Sequence, residues 1–120
     1  MRIAITSTGK DLSSDMDLRF GRAEYFIVVD PESMEYEVVE NRQNLNLPQG
    51  AGIQAGKTIV DNHVDVLITG NLGPNAFKVL KNAGIRIMIG TEGSIRDVIL
   101  KYKNGDLKSF QGPSVEGHWV

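Results

Sequence analysis

The chain has 120 residues, 41% hydrophobic and 23% charged, and its 13 basic side chains against 15 acidic ones leave a net charge of −2. That length sets the expectation of one domain with an ordinary apolar core. The near-balanced charge argues against nucleic acid or an anionic membrane as partner, since both favour a basic patch. The absence of cysteine excludes disulfides, thiolate metal ligands and a cysteine nucleophile together.

No apolar run reaches membrane-spanning length, and Met1-Arg2-Ile3 leads straight into a strand, so the cytoplasm is the expected compartment. Arg2 to Thr6 reads as a short apolar strand ending in the polar loop Ser7-Thr8-Gly9-Lys10. Asp11 to Asp17 follows without periodicity. Its three aspartates lack the spacing and closing glutamate of a helix-loop-helix calcium site, so a solvated loop is expected. Tyr25 to Asp30 is a strong aromatic and β-branched strand, Asp30-Pro31-Glu32-Ser33 is turn chemistry, and Tyr36 to Glu40 returns as a hairpin partner. The glutamates of the second strand indicate one wet face near a sheet edge.

Asn41 to Gly52 carries no regular pattern, and an irregular loop of about a dozen residues in a small domain is commonly functional or disordered. From Ile53 the pattern turns helical, with Ile53, Gly56, Ile59 and Val60 on one face and Gly56 expected to let the helix approach the sheet. Val64 to Thr69 reads as a buried strand, followed by the loop Gly70-Asn71-Leu72-Gly73 and a helix from Pro74 to Ala83, with Gly84 as its cap. Ala76, Phe77, Leu80 and Ala83 form the inner face of that helix. Ile85 to Ile89 is another strand with a glycine loop, Gly90-Thr91-Glu92-Gly93, and Ser94-Ile95-Arg96-Asp97 opens a third helix as a capping box. Asp106 to Phe110 either adds a short strand or packs across the sheet. The order predicts a single α/β domain over residues 1–110, a mixed five-stranded sheet flanked by three helices, with 111–120 a flexible tail.

In open α/β sheets, ligands bind outside the carboxyl ends of the strands. The loops Thr6–Lys10, Thr69–Gly73 and Ile89–Gly93 are therefore expected to line one crevice, with the helix start after Gly73 offering N–H groups to an anion. Phe20-Gly21-Arg22 has two readings. Arg22, with Arg19, holds an oxyanion by a bidentate contact, or the segment is a strand-entry turn with Phe20 in the core and the arginines in solvent. His63 follows a helix end, where an imidazolium complements the dipole. His118 lies beside Trp119, which could cover a bound group. No serine sits in a nucleophile elbow, no lysine follows a glycine loop in the Walker manner, no dinucleotide fingerprint is present, and the first strand carries no carboxylate. Nothing points to a catalytic constellation.

Phe20-Gly21-Arg22-Ala23-Glu24-Tyr25-Phe26, the Gly50-Ala51-Gly52 segment before a helix, and Gly70-Asn71-Leu72-Gly73-Pro74-Asn75-Ala76 resemble the dinitrogenase iron-molybdenum cofactor biosynthesis family. Ala83-Gly84-Ile85 and Tyr102-Lys103-Asn104-Gly105-Asp106-Leu107 fit the same pattern, so the resemblance runs over residues 1–110. It implies a ribonuclease H-like α/β fold and a role in carrying an iron–sulfur cluster or an iron-molybdenum cofactor precursor, bound non-covalently, without a reaction of its own. A protein partner in cofactor transfer is implied as well. Where members of such a family offer histidine or cysteine, Asn44 to Gly56 here has neither, so a cluster would be held by backbone N–H groups, Asn71, Asn75 and arginines, or by His118. The expected cofactor-binding residues are Thr8, Gly9, Phe20, Gly21, Arg22, Gly70, Asn71, Leu72, Gly73, Asn75, Gly90 and Thr91, with no catalytic residue and no metal ligand among them. Without the resemblance, the same loops suit an enzyme or sensor for a phosphate- or carboxylate-bearing metabolite, or an interaction module that uses 41–52 and the tail.

Overall fold

The structure is a computed structural model that describes residues 1–112. His118 and Trp119, and the tail from 113 on, lie outside the described residues. The elements are β1 (Ile3–Ser7), β2 (Tyr25–Val29), β3 (Tyr36–Glu40), a single 3₁₀ turn (Arg42–Asn44), α1 (Ala51–Asp61), β4 (Val66–Ile68), α2 (Pro74–Asn82), β5 (Arg86–Ile89), α3 (Ile95–Lys103) and β6 (Lys108–Ser109). They form one α/β domain around a mixed six-stranded sheet in the order β3-β2-β1-β4-β5-β6.

The sheet has six strands where five were expected. β5 and β6 are joined through α3 yet pair antiparallel, Met88 with Ser109 and Ile89 with Lys108. The reason is packing at the sheet edge. Leu107 packs on one face of the sheet while Phe110 packs on the other, where its ring meets Phe77 edge to face at 5.8 Å. β1, β4 and β5 are parallel, as their helical crossovers require, and the β2–β3 hairpin runs antiparallel beside β1.

Alternation along the central strands divides the core in two. Ala4, Phe26, Val28, Leu67 and Ile87 face α1 and α2, meeting Ala55, Ile59, Ala76 and Leu80. Ile3, Ile5, Ile27, Val66, Ile68 and Met88 face α3 and meet Ile95, Val98 and Ile99. Leu12 and Met16 belong to this second core and Asp17 is buried with them, so the expectation of a solvated loop over 11–17 fails at these three positions. Gly56 also differs from expectation. A Cβ there would stand 3.1 Å from Val79 Cγ1, so the glycine serves the contact between α1 and α2 rather than contact with the sheet.

Helix boundaries follow local chemistry. Pro74 opens α2, and Gly84 just beyond it takes φ +78°, the left-handed conformation that a glycine adopts without strain. Ser94 caps α3, its Oγ accepting the Asp97 N–H at 3.1 Å.

Candidate functional site

The carboxyl ends of β1, β4 and β5 share one edge of the sheet, and the chain between β1 and β2 lies across that edge. Thr8 N–H donates to Asp15 O (3.0 Å), Met16 N–H to Gly93 O (2.8 Å), and Asp17 N–H to Thr6 O (2.9 Å). Ile95 and Arg96 donate to Ser14 O and Leu12 O, each at 2.9 Å. Further along, Phe20 N–H donates to Asn71 O (3.2 Å) and Asn71 N–H to Leu18 O (2.8 Å). The loops after all three strands therefore do converge, but on the protein's own segment 8–20.

Beneath that segment, Thr6 and Thr69 are fully buried at the ends of neighbouring strands. Thr6 Oγ1 lies 2.6 Å from Asp17 O and 3.0 Å from Thr69 Oγ1. A hydroxyl has one proton, and the shorter distance assigns it to the carbonyl, which leaves the Thr69 hydroxyl to donate to Thr6.

What stays open is a shallow cavity of about 200 Å³ at the side of this edge, where α1 and α2 begin. Arg19, Phe20 and Gly21 form one wall, Asn71, Leu72 and Gly73 another, and Gly52 with Ala76 supply the first turns of the two helices. Phe20 is a core residue as well, its ring stacked on Phe26 at 5.7 Å. Gly21 sits against α1 because a Cβ there would stand 3.0 Å from Gly52 N and 3.1 Å from Gly52 Cα. That glycine lets two backbones touch. Gly73 is different. Its φ of −87° is ordinary, and nothing lies within 4 Å of where its Cβ would be.

The electrostatics favour an anion. Neither α1 nor α2 has a side-chain cap hydrogen bond or an acidic residue in its first turn, whereas α3 has Ser94 and Asp97. The positive ends of two helix dipoles thus meet at the cavity with no acidic side chain in either first turn. Arg19 is the charged residue of the lining, and its guanidinium, held beside the Asp17 carboxylate by hydrogen bonds and charge, loses its proton still less readily than usual.

The other expected residues are placed elsewhere. Arg22 Nη1 donates to Leu45 O at 2.8 Å, tying down the segment before α1. Asn75 is exposed on the first turn of α2, outside the lining. Thr8 Oγ1 donates to Asp15 O at 2.9 Å, and Gly9 packs against the Ser14 side chain. Gly70 abuts Leu18, Gly90 takes φ +84°, and Thr91 Oγ1 accepts Lys101 Nζ at 3.2 Å. His63 is exposed beyond the end of α1 at φ +56°. Among the described residues no group of three or more His, Asp or Glu is placed to hold a metal ion, and no helix is long and apolar enough to cross a membrane.

Two residues that matter here escaped sequence reading. Asn41 is fully buried, and its Nδ2 donates to Gly21 O (3.2 Å) and Ala23 O (2.8 Å) while its Oδ1 accepts from Asn44 Nδ2 (2.6 Å). It clamps the Phe20–Ala23 turn to the segment leading into α1. Asp17, which orients Arg19, is the second. One of three asparagines in an irregular stretch and one of three loop aspartates carry no local signal.

Comparison with known proteins places this geometry among relatives. The model of the family described as "Dinitrogenase iron-molybdenum cofactor" matches residues 1–105. The chain is 32% identical over 114 residues to an uncharacterized protein of Methanocaldococcus jannaschii, covering 92% of each. Its fold superposes on the apo form of the orange protein from Desulfovibrio gigas with a TM-score of 0.91 at 38% identity, covering 94% of this chain and 95% of that one. A Thermotoga protein provisionally named NifB gives a TM-score of 0.78 at 42% identity, covering 90% and 91%.

Proposed function

The chain belongs to the dinitrogenase iron-molybdenum cofactor family, and from that premise we propose that it is a small carrier that holds an anionic iron–sulfur or iron-molybdenum cofactor precursor without transforming it. The observation that carries the reading is the cavity where α1 and α2 both begin uncapped, beside Arg19 and Asn71. Such a cradle offers backbone N–H groups to the outer atoms of an anion, beside a guanidinium already paired with Asp17, and it asks for no coordinate bond from the protein. That suits a chain without cysteine. The cluster is cargo in this reading, taken up from and passed to a protein partner in the cytoplasm, and the domain is of the ribonuclease H-like type.

The cradle's residues have separate parts. The first turns of α1 and α2 supply partial positive charge, Asn71 adds a side-chain amide at the rim, and Phe20 and Leu72 give the floor an apolar character. Larger hollows of about 520 and 370 Å³ lie at the opposite end of the sheet beside Met1, and they contain none of these elements.

The test is anaerobic mixing of the purified chain with a preformed iron–sulfur or iron-molybdenum cluster, followed by gel filtration with iron, molybdenum and sulfide analysis. Stoichiometric metal co-eluting with the wild-type chain, and much less with Gly73→Leu, is the expected result. Metal-free protein overturns the reading. A thermal-shift screen of phosphorylated and carboxylated metabolites then tests the same cradle as a metabolite site, where a stabilised midpoint with one compound favours a sensor or enzyme.

A further inference from the structure

Arg19 lines the cavity with the Nε–Nη2 edge of its guanidinium already occupied. Its Nε and Nη2 donate to Asp17 Oδ1 and Oδ2, both at 3.1 Å, and its backbone N–H adds a bond to Oδ1 at 2.9 Å. Asp17 cannot follow if the arginine swings toward a ligand. Its side chain is only 6% exposed, its N–H donates to Thr6 O at 2.9 Å, and its carbonyl accepts the Thr6 hydroxyl at 2.6 Å. The guanidinium it holds is 67% exposed. A fixed anion thus engages a surface cation through the same pair of parallel N–H···O bonds by which arginine grips phosphate or carboxylate.

This matters for selectivity. A compact oxyanion is strongly hydrated, and entering the cavity it would need an uncompensated cation to offset lost hydration. A bulky anion with its charge spread over many atoms loses less hydration and can be held by backbone N–H groups alone. We infer that Asp17 is a specificity-determining residue, which by taking the Nε–Nη2 edge of Arg19 and compensating its charge excludes compact oxyanions such as inorganic phosphate from the cavity. The inference rests on the reading of this cavity as an anion cradle, but its test does not depend on which cargo the cradle carries.

Calorimetric titration of the intact chain with inorganic phosphate decides it. Asp17→Asn and Asp17→Ser each remove the counter-charge, and each is expected to bind phosphate about tenfold more tightly than wild type. Asp17→Glu keeps a carboxylate and is expected to stay weak. The gain should vanish in Asp17→Asn/Arg19→Gln, an effect that mere loosening of the 8–20 segment would not produce. The inference is overturned if neither Asn nor Ser tightens phosphate binding, or if the gain survives removal of Arg19. Cluster binding by the wild-type chain, measured in parallel, separates the two questions. No bound metal with a phosphate gain in Asp17→Asn removes the carrier reading and keeps the role of Asp17, while bound metal with no phosphate gain does the reverse.

Discussion

Gly70 lies directly under Leu18: a Cβ at position 70 would stand 2.6 Å from the Leu18 carbonyl oxygen and 2.7 Å from its Cα. The atoms in the way are backbone, which cannot rotate aside as a side-chain tip can. Gly70→Ala is therefore expected to cost about 1–3 kcal/mol, the usual penalty for forcing a group into filled space. Urea unfolding monitored by circular dichroism measures it, and an unchanged midpoint would mean that the 8–20 segment does not lie where it is described.

Gly73 makes the opposite case. With ordinary φ and open space around its missing Cβ, Gly73→Ala is expected to change stability by no more than about 0.5 kcal/mol. Its place is on the cavity wall, so a larger side chain there should act on ligand binding. Thermal melts of Gly73→Ala and Gly73→Leu, read beside metal content after cluster loading, separate the two effects. Loss of stability in the alanine variant would show that the position is structural.

Asn41 bonds Gly21 O, Ala23 O and Asn44 Nδ2 from a fully buried position. Asn41→Leu leaves those groups without partners away from water, at a cost of about 3 kcal/mol. Hydrogen exchange should quicken over 42–50 and in the first turn of α1 before it does in β1. Uniform acceleration across the sheet would contradict the clamp.

Acid stability follows from two aspartates. Asp11 is held below its ordinary range mainly by the Ser13 hydroxyl at 2.6 Å and then the Ser13 N–H; Asp30 is held low chiefly by the Glu32 N–H at 2.8 Å. With the folded values below the unfolded one, the unfolded chain takes up protons first as pH falls. Their stabilisation is complete above the ordinary aspartate value of about 3.9 and disappears as pH falls through the lower folded values. The melting temperature of wild type is expected to decline below about pH 4, and less steeply in Asp30→Asn and Asp11→Asn. Equal slopes in all three proteins would contradict this assignment.

What could be read in the sequence was what neighbours in sequence decide. Pro74 and Gly84 bracket α2, Ser94 caps α3, and Asp30-Pro31 turns the hairpin, each through contacts within a few residues. The segments that bear the cavity, Phe20-Gly21 and Asn71-Leu72-Gly73, were also legible, because glycine loops at strand ends are local signals. Partners remote in sequence were not legible. Gly21 is glycine because of Gly52, Gly70 because of Leu18, and Gly56 because of Val79; no local pattern encodes those pairs. Arg22 looked available to a ligand until Leu45 O was seen to accept from it. The burial of Leu12 and Met16 was hidden for a related reason, since a loop that fills a core face without periodicity resembles a solvated one.

The segment between β1 and β2 also sets an order of events during synthesis. Residues 12–20 draw their hydrogen-bond acceptors and donors from Thr6, Asn71, Gly93, Ile95 and Arg96, most of them made far later than the segment itself. A nascent chain that has emerged only through the β2–β3 hairpin can pair its first strands and bond Asp17 to Thr6, but it still lacks Asn71, Gly93, Ile95 and Arg96, which fix the rest of the segment that carries Arg19. The wall of the cavity that Arg19 lines is therefore fully supported only when α3 has followed, so a chain stalled before Ile95 lacks part of that support.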